Sequence, residues 1–274
     1  MPRKRSHTDI EVDSDLNGSE MQGQTLNGKV AVVTGSNTGI GAAICRELAS
    51  RGASVVVNYP FPKFKEEGER VALGLGNKSI AVEADLSTVD GPRRLIDEAV
   101  EEFRKIDILV NNAGLAVNKQ FEDQTLEDWD LLVNLNGRGT FLMTQNVLKH
   151  LPKEGGRIVN IVSISAREAP PMQTIYAGTK GMVDSFTKVW AKELPPKYGC
   201  TVNAVSPGPT MTEGFALAGE EFMKKMKPAL DKTPVGGRLG KPEEIAFAVA
   251  FLCEPRASWM NGVHLIADGG LFID

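Results

Sequence analysis

The chain has 274 residues, 42% of them hydrophobic and 6% aromatic, enough to bury one large α/β core without a second domain. Lysine and arginine total 31 against 35 acidic residues, a net charge of -4 that offers no positive field to nucleic acid, so no such partner is expected. Three cysteines, Cys45, Cys200 and Cys253, odd in number and far apart, exclude a disulfide framework and a metal site, and no apolar run reaches the roughly 18 to 20 residues that span a bilayer.

Residues 1–24 are polar and charged with no hydrophobic period, so they cannot offset the entropy of ordering, and a disordered tail is expected there. The start lacks the apolar stretch of a secretory signal, and with unpaired cysteines this points to a reducing, cytoplasmic setting. From Lys29 onward, short β-branched runs alternate with amphipathic stretches, the pattern of repeated βα units around a buried parallel sheet, forming one catalytic domain over 25–274. Strands are predicted at 30–34, 54–58, 79–83, 106–111, 156–163, 200–206 and 263–267. Leu95, Ile96, Ala99, Val100 and Phe103 fall on one face at a 3.6-residue period, and Ser87 is placed to cap that helix. Thr125, with Asp128 three residues on, forms a capping-box pattern leading towards the apolar stretch 141–151. The stretch 209–240 is the only irregular one long enough to act as a lid. Pro242, followed by Glu243 and Glu244, marks a helix start, and that helix ends before Pro255.

Directly after the first strand comes TGSNTGIG, Thr34 to Gly41, followed by a helical pattern. Gly35 permits a tight turn, Gly39 lets backbone approach a pyrophosphate, and Gly41 allows helix and strand to pack, with the helix N-terminus facing the anion. Further along stand NNAG at Asn111 to Gly114, Asn136 within VNLNGRGTF, Ser163 after IVNIV, YAGTK at Tyr176 to Lys180, and SPGPTMT at Ser206 to Thr212. In content and order these motifs resemble the short-chain dehydrogenase/reductase family over about Lys29 to Gly270. The resemblance implies a single Rossmann-like α/β domain, doubly wound around a seven-stranded parallel sheet with helices on both faces, and a homotetramer built on helix faces. It also implies a nicotinamide cofactor held by Gly35, Ser36, Thr38, Gly39, Ile40, Tyr59, Asp85, Leu86, Asn112, Ala113, Gly114, Tyr176, Lys180, Pro207, Gly208, Thr210 and Thr212. Four of these have plainer alternatives: Asp85 as a cap on the turn before the next helix, and Asn112 to Gly114 as a simple turn at a strand end.

Ser163 precedes Tyr176 by thirteen positions and Lys180 follows it by four, the spacings of the family's catalytic residues. Residues four apart on a helix lie one above the other, so a Lys180 ammonium sits near the Tyr176 hydroxyl. A free tyrosine titrates near about 10, and an adjacent positive charge is expected to lower that value into a useful range. Ser163, rather than Ser165 two residues on, is expected to hydrogen-bond the substrate oxygen. By resemblance, Asn136 holds a water that links the lysine to solvent. The expected reaction is hydride transfer to a carbonyl carbon while Tyr176 protonates the developing alkoxide.

The second strand ends at Asn58-Tyr59-Pro60, where an NAD enzyme carries a carboxylate for the ribose 2′-hydroxyl; none is present, and Lys63 and Lys65 follow. NADP(H) is therefore favoured over NAD(H), although Pro60 and Thr38 stand where NADP enzymes of the family often carry a basic residue. Met211, Phe215, Leu217, Phe222, Met223 and Met226 in the lid point to an apolar or ring-bearing small-molecule ketone, or equally to the core face of a lid helix. Two alternatives remain open at this stage: a cofactor-binding regulatory or scaffold protein without turnover, and a reductase acting on an imine.

Overall fold

Seven runs of mostly β-branched and small apolar residues pair into one sheet because parallel strands, covered on both faces, select continuous apolar sequence. The computed structural model of the protein describes residues 24–213 and 219–274; of the segment expected to be a polar tail, only Gln24 falls within them. The strands are β1 (Val30–Val33), β2 (Ser54–Tyr59), β3 (Ile80–Glu83), β4 (Ile108–Asn111), β5 (Gly156–Ile161), β6 (Cys200–Pro207) and β7 (His264–Ala267). They lie in the order β3-β2-β1-β4-β5-β6-β7, every neighbouring pair parallel.

The period-two alternation of the strands divides the core into two layers. Val33, Val55, Val57 and Val110 face one side, where they meet Ile44 and Leu48 of α1 (Gly39–Ser50) and Ile245, Val249 and Leu252 of the helix Pro242–Cys253. Val32, Val56 and Leu109 face the other, against α3 (Gly91–Phe103), α5 (Thr140–Val147) and α7 (Thr174–Glu193) through Leu95, Ile96, Met143, Val147 and Trp190. Between α1 and α3 lies α2 (Lys65–Gly74), and α4 (Leu126–Leu132) and the short α6 (Ser165–Glu168) complete the elements near the site. Strand order reverses between β1 and β4, so connections leave to opposite faces there and open a crevice at the C-terminal strand ends.

Every predicted strand is present, with ends shifted by one or two residues, and the Thr125–Asp128 capping box forms with both of its reciprocal hydrogen bonds. Three local readings are corrected. Ser87 does not cap α3: its hydroxyl donates to Asp85 Oδ1 at 2.7 Å, and Thr88 Oγ1 instead accepts from the Gly91 amide at 3.0 Å. The apolar stretch 141–151 is preceded by a wide π-helical segment, Val133–Gly139, that no simple period reveals. The stretch 209–240 is not irregular throughout, because it contains the helix Gly219–Lys232 with Pro228 inside it. Phe215 and Leu217 of the expected lid lie outside the described residues.

The turn into α1 is packed on glycine. A Cβ on Gly41 would lie 2.4 Å from the Gly35 carbonyl oxygen, 2.6 Å from Asn112 Nδ2 and 2.7 Å from Ser36 Cα, and backbone cannot yield to it cheaply. Gly41→Ala is expected to destabilise the fold by about 1–3 kcal/mol, the usual cost of overpacking. Urea unfolding of the variant would measure this, and an unchanged midpoint would contradict the packing described.

Candidate active site

The phosphate-type turn is held from three sides. Gly35 adopts φ +57°, and a Cβ there would lie 2.9 Å from Ala113 Cα, so both its conformation and its neighbour select glycine. Ser36 is fully buried: its hydroxyl donates to the Val33 carbonyl at 2.7 Å and accepts from the Asn58 amide at 2.9 Å. Asn58 answers in kind, its Oδ1 accepting from the Gly35 amide at 2.9 Å and its Nδ2 facing the carbonyls of Tyr59, Val82 and Ala84. Of the carboxamides and hydroxyls around this turn, these act as its scaffold.

On the β4 side, Thr34 Oγ1 accepts from the amides of Asn112 and Ala113, both at 2.9 Å, while Asn112 Nδ2 donates to the carbonyls of Thr34 and Gly35. The NNAG turn is thus fastened to the glycine turn across the crevice. Asp85 engages Ser87 through its carboxylate, and the following turn packs against the π segment, where a Cβ on Gly139 would lie 2.6 Å from the Leu86 carbonyl oxygen and Arg138 donates to the Ser87 carbonyl. Tyr59 is buried, with a Cβ on Gly68 meeting its ring at 2.6 Å.

Thr38 is the residue before α1, yet it makes no side-chain cap to the helix; its hydroxyl is hydrogen-bonded to the carboxylate of Glu213 instead. Thr212 packs on Gly39, whose φ is +58°. Pro207 ends β6 and Gly208 follows it, the Gly208 amide donating to the Ala267 carbonyl at 3.1 Å, and the buried Thr210 hydroxyl donates to the Gly208 carbonyl at 2.9 Å. Ile40, in the first turn of α1, packs against the core on the α1 face. Of the two lysines considered for a 2′-phosphate, Lys63 lies over the Phe64 ring at 4.9 Å and Lys65 pairs with Glu69 at 3.7 Å.

The acid-base group stands at the same edge of the sheet, on α7 and the end of β5. Tyr176 and Lys180 lie one turn apart on α7, with the ammonium nitrogen 5.9 Å from the centre of the phenol ring. The Ser163 hydroxyl accepts from the Ser165 amide at 3.1 Å, and its side chain lies close enough to the Tyr176 phenol to favour the phenolate. Ser165 contributes that amide and is itself buried. Burial pushes the Tyr176 phenol up, and the neighbouring Ser163 side chain opposes this. Lys180, fully desolvated, is lowered to about 8 and donates to the Ile161 carbonyl at 2.8 Å. The expectation of a phenol already lowered by its lysine is therefore corrected for the protein alone, because burial outweighs the other influences on the phenol.

Asn136 sits in the π segment with its side chain fully engaged. Its Oδ1 accepts from the Leu115 amide and its Nδ2 donates to the Leu115 carbonyl and Thr179 Oγ1, each at 3.0 Å. Thr179 in turn donates to the Tyr176 carbonyl at 2.8 Å. A Cβ on Gly114 would come 3.2 Å from Asn136 Oδ1 and 3.3 Å from Lys180 Nζ, so glycine is what lets the NNAG turn lie against both. Sequence reading missed Thr34, Thr179 and Glu213. Thr34 and Thr179 carried a signal in being polar within motifs that otherwise pack, whereas Glu213 carried none.

The crevice fits a dinucleotide on its own terms. The first-turn amides of α1 have no side-chain cap, the two left-handed glycines keep the turn free of side chains, and the adjoining edge carries a phenol, a hydroxyl and a buried amine. Gly35, Thr38, Gly39 and Ile40 would lie along the pyrophosphate, with Asn112 to Gly114 beside them. Among the described residues there is no cluster of metal-ligating side chains, and no helix is long and apolar enough to cross a membrane.

Comparison with known proteins agrees with this geometry. Residues 35–272 match the family model described as Enoyl-(Acyl carrier protein) reductase. An uncharacterized oxidoreductase of Methylorubrum extorquens is 42% identical over 247 residues, covering 90% of this chain and 98% of that protein. A hydroxynaphthalene reductase-like protein, Arp2, of Metarhizium robertsii is 37% identical over 263 residues, covering 92% and 98%. The crystal structure of a short-chain dehydrogenase from Burkholderia cenocepacia in complex with NADP superposes with a TM-score of 0.83 at 36% identity, covering 90% of this chain and 99% of that one.

The buried amine carries a stability consequence. Lys180 titrates at 10.5 when free and at about 8 in the fold, so the fold disfavours its charged form. Its contribution is fully present above pH 10.5, is lost as pH falls through about 8, and is constant below. Lys180→Met is expected to flatten the stability profile between those limits and to raise unfolding free energy at pH 7 by roughly 1–3 kcal/mol. Denaturation curves at a series of pH values would show it, and a variant less stable than the parent at pH 7 would contradict the assignment.

Proposed function

The chain belongs to the short-chain dehydrogenase/reductase family, and on that premise we propose that it is an NADP(H)-dependent reductase converting an apolar, ring-bearing ketone to an alcohol, with Tyr176 as general acid. The observation that carries this reading is the Tyr176 phenol with the desolvated Lys180 one helical turn away, its ammonium 5.9 Å from the ring centre and next to the NNAG turn, and with the Ser163 side chain beside it. When bound, the reduced nicotinamide supplies a hydride. Ser163 donates to the substrate carbonyl oxygen and stabilises the charge that grows there. Tyr176 Oη releases its proton to the same oxygen, giving the alcohol and a phenolate. The Lys180 ammonium stabilises that phenolate, which in a buried setting would otherwise be costly. Asn136 braces Leu115 and, through Thr179, the turn of α7 that bears the phenol.

NADP(H) is favoured because no carboxylate ends β2, and a structural neighbour holds NADP. The ring-bearing substrate is supported by the name of the Metarhizium relative, a hydroxynaphthalene reductase-like protein, and by the exposed apolar side chains of Leu115, Met172 and Met211. The same reading includes a homotetramer packed on helix faces, in keeping with exposed Phe141 and Val189 on α5 and α7 and Phe247 on Pro242–Cys253.

Tyr176→Phe is expected to lower kcat for ketone reduction by at least about a thousandfold, while NADPH binding, followed by fluorescence titration, stays within twofold. Full activity in that variant, or turnover confined to an enoyl-(acyl carrier protein), would overturn the mechanism. NADPH is expected to give the higher kcat/KM of the two reduced cofactors, and a clear preference for NADH would reverse that part. The reduction rate is expected to fall as pH rises through about 8, where Lys180 loses its charge; a rate constant up to pH 10 would remove the lysine from its role.

A further inference from the structure

Away from the phenol, one group of charged side chains is more enclosed than any surface pairing requires. Asp184 lies on α7, two turns beyond Tyr176; His264 opens β7; Ser206 stands near the end of β6; Arg167 lies on α6, one turn after Ser163. His264 Nδ1 is 2.7 Å from Asp184 Oδ1 and its Nε2 is 2.5 Å from Ser206 Oγ. Arg167 Nη2 reaches the Asp184 carboxylate at 3.3 Å and His264 Nδ1 at 2.9 Å, and its Nη1 pairs with the Asp274 carboxylate. Lys188 donates to Asp184 Oδ2 at 2.8 Å. Side-chain exposure is 10% at Asp184, 9% at His264 and 21% at Arg167.

The serine, histidine and aspartate stand in the order of a nucleophilic triad, but Ser206 has no exposed surface, so no substrate can reach it. Their chemistry is therefore directed inward. The histidine joins the end of β6 to α7, and Asp184, held ionised by its partners, anchors Arg167. Just beyond Ser206, the Pro207 carbonyl accepts from the Ile164 amide at 3.2 Å, in the segment that leads to Arg167. One enclosed cluster thus meets the segment bearing Ser163, the helix bearing Tyr176 and the loop entering Thr210.

We propose that Arg167 is a positioning residue for proton transfer: its guanidinium, clamped by the Asp184 and Asp274 carboxylates, fixes the segment bearing Ser163 against the helix bearing Tyr176. The inference rests on the reading of Ser163 and Tyr176 as the pair that serves the substrate oxygen. An arginine suits the task because its rigid fork engages several acceptors at once, and an enclosed ion pair holds geometry more firmly than an exposed one.

The test uses Arg167→Met and Arg167→Lys, with Asp184→Asn as a second way of breaking the clamp should Arg167→Met fail to fold. Arg167→Met is expected to lower kcat at least tenfold with NADPH affinity within twofold, and Arg167→Lys to recover part of the loss. A second readout does not need turnover: the Tyr176 phenol, isolated in ultraviolet titration as the difference from Tyr176→Phe, should titrate higher in Arg167→Met because the Ser163 side chain, which lowers it, is held less firmly beside it. A kcat within twofold of the parent together with a superimposable phenol titration would overturn the proposal. If Tyr176→Phe itself remained active, the proposed mechanism would fail, while the phenol titration would still decide whether Arg167 sets the Ser163–Tyr176 contact.

Discussion

At the junction of β1 and β4, successive connections leave the sheet towards opposite faces, and two strand ends are left without a helix between them. The protein closes this gap with one hydroxyl: Thr34 accepts the amides of Asn112 and Ala113, and Asn112 returns its side chain to the carbonyls of Thr34 and Gly35. Backbone approaches so closely here that Gly35 and Gly41 admit no side chain. The uncapped start of α1 and the edge bearing Tyr176 are both referenced to this junction, the first through the glycine turn and the second through Gly114, which touches Asn136 and Lys180 together.

Polar groups inside the sheet extend the same logic. Asn111 donates to Thr144 and Asn160, and Asn160 donates to Thr187, linking β4, α5, β5 and α7 through enclosed amides. Such groups are costly when left unpaired and directional when paired, so they specify how helices sit on a sheet that hydrophobic contact alone would hold loosely. Lys180 is the counter-example. It is buried with a backbone carbonyl as its hydrogen-bond acceptor and, among the described residues, with no carboxylate bonded to it, a cost to folding that a purely structural residue would not carry.

The strands and the ordered motifs were legible in the sequence because they are local: an apolar run of five or six residues, a glycine turn after it, a tyrosine and a lysine one turn apart. Thr125 and Pro242 announced their helices through capping chemistry that also acts within a few residues. Ser87 misled because Thr88, its neighbour, has the same chemistry and the better placement for the Gly91 amide. The saturation of Asn136 by Leu115 and Thr179, and the cluster around Arg167, were illegible, since their members are brought together only by the sheet. The raised phenol escaped prediction for a related reason, because the sequence supplies the spacing of Tyr176 and Lys180 but not how deeply either is enclosed. For helix Gly219–Lys232 the sequence offered both an irregular lid and a lid helix with an apolar core face, because Pro228 interrupts a stretch whose Met and Phe positions serve either.

The wide turn at Val133–Gly139 holds surplus chain between α4 and α5, as though one residue of slack had been wound into a continuous rod. Each residue of an ordinary helix advances its neighbours by about 100°. Trimming a single residue from this coil would spin Asn136 away from Leu115 and carry the Gly139 backbone off the Leu86 carbonyl, unpicking both ends of the crevice at once.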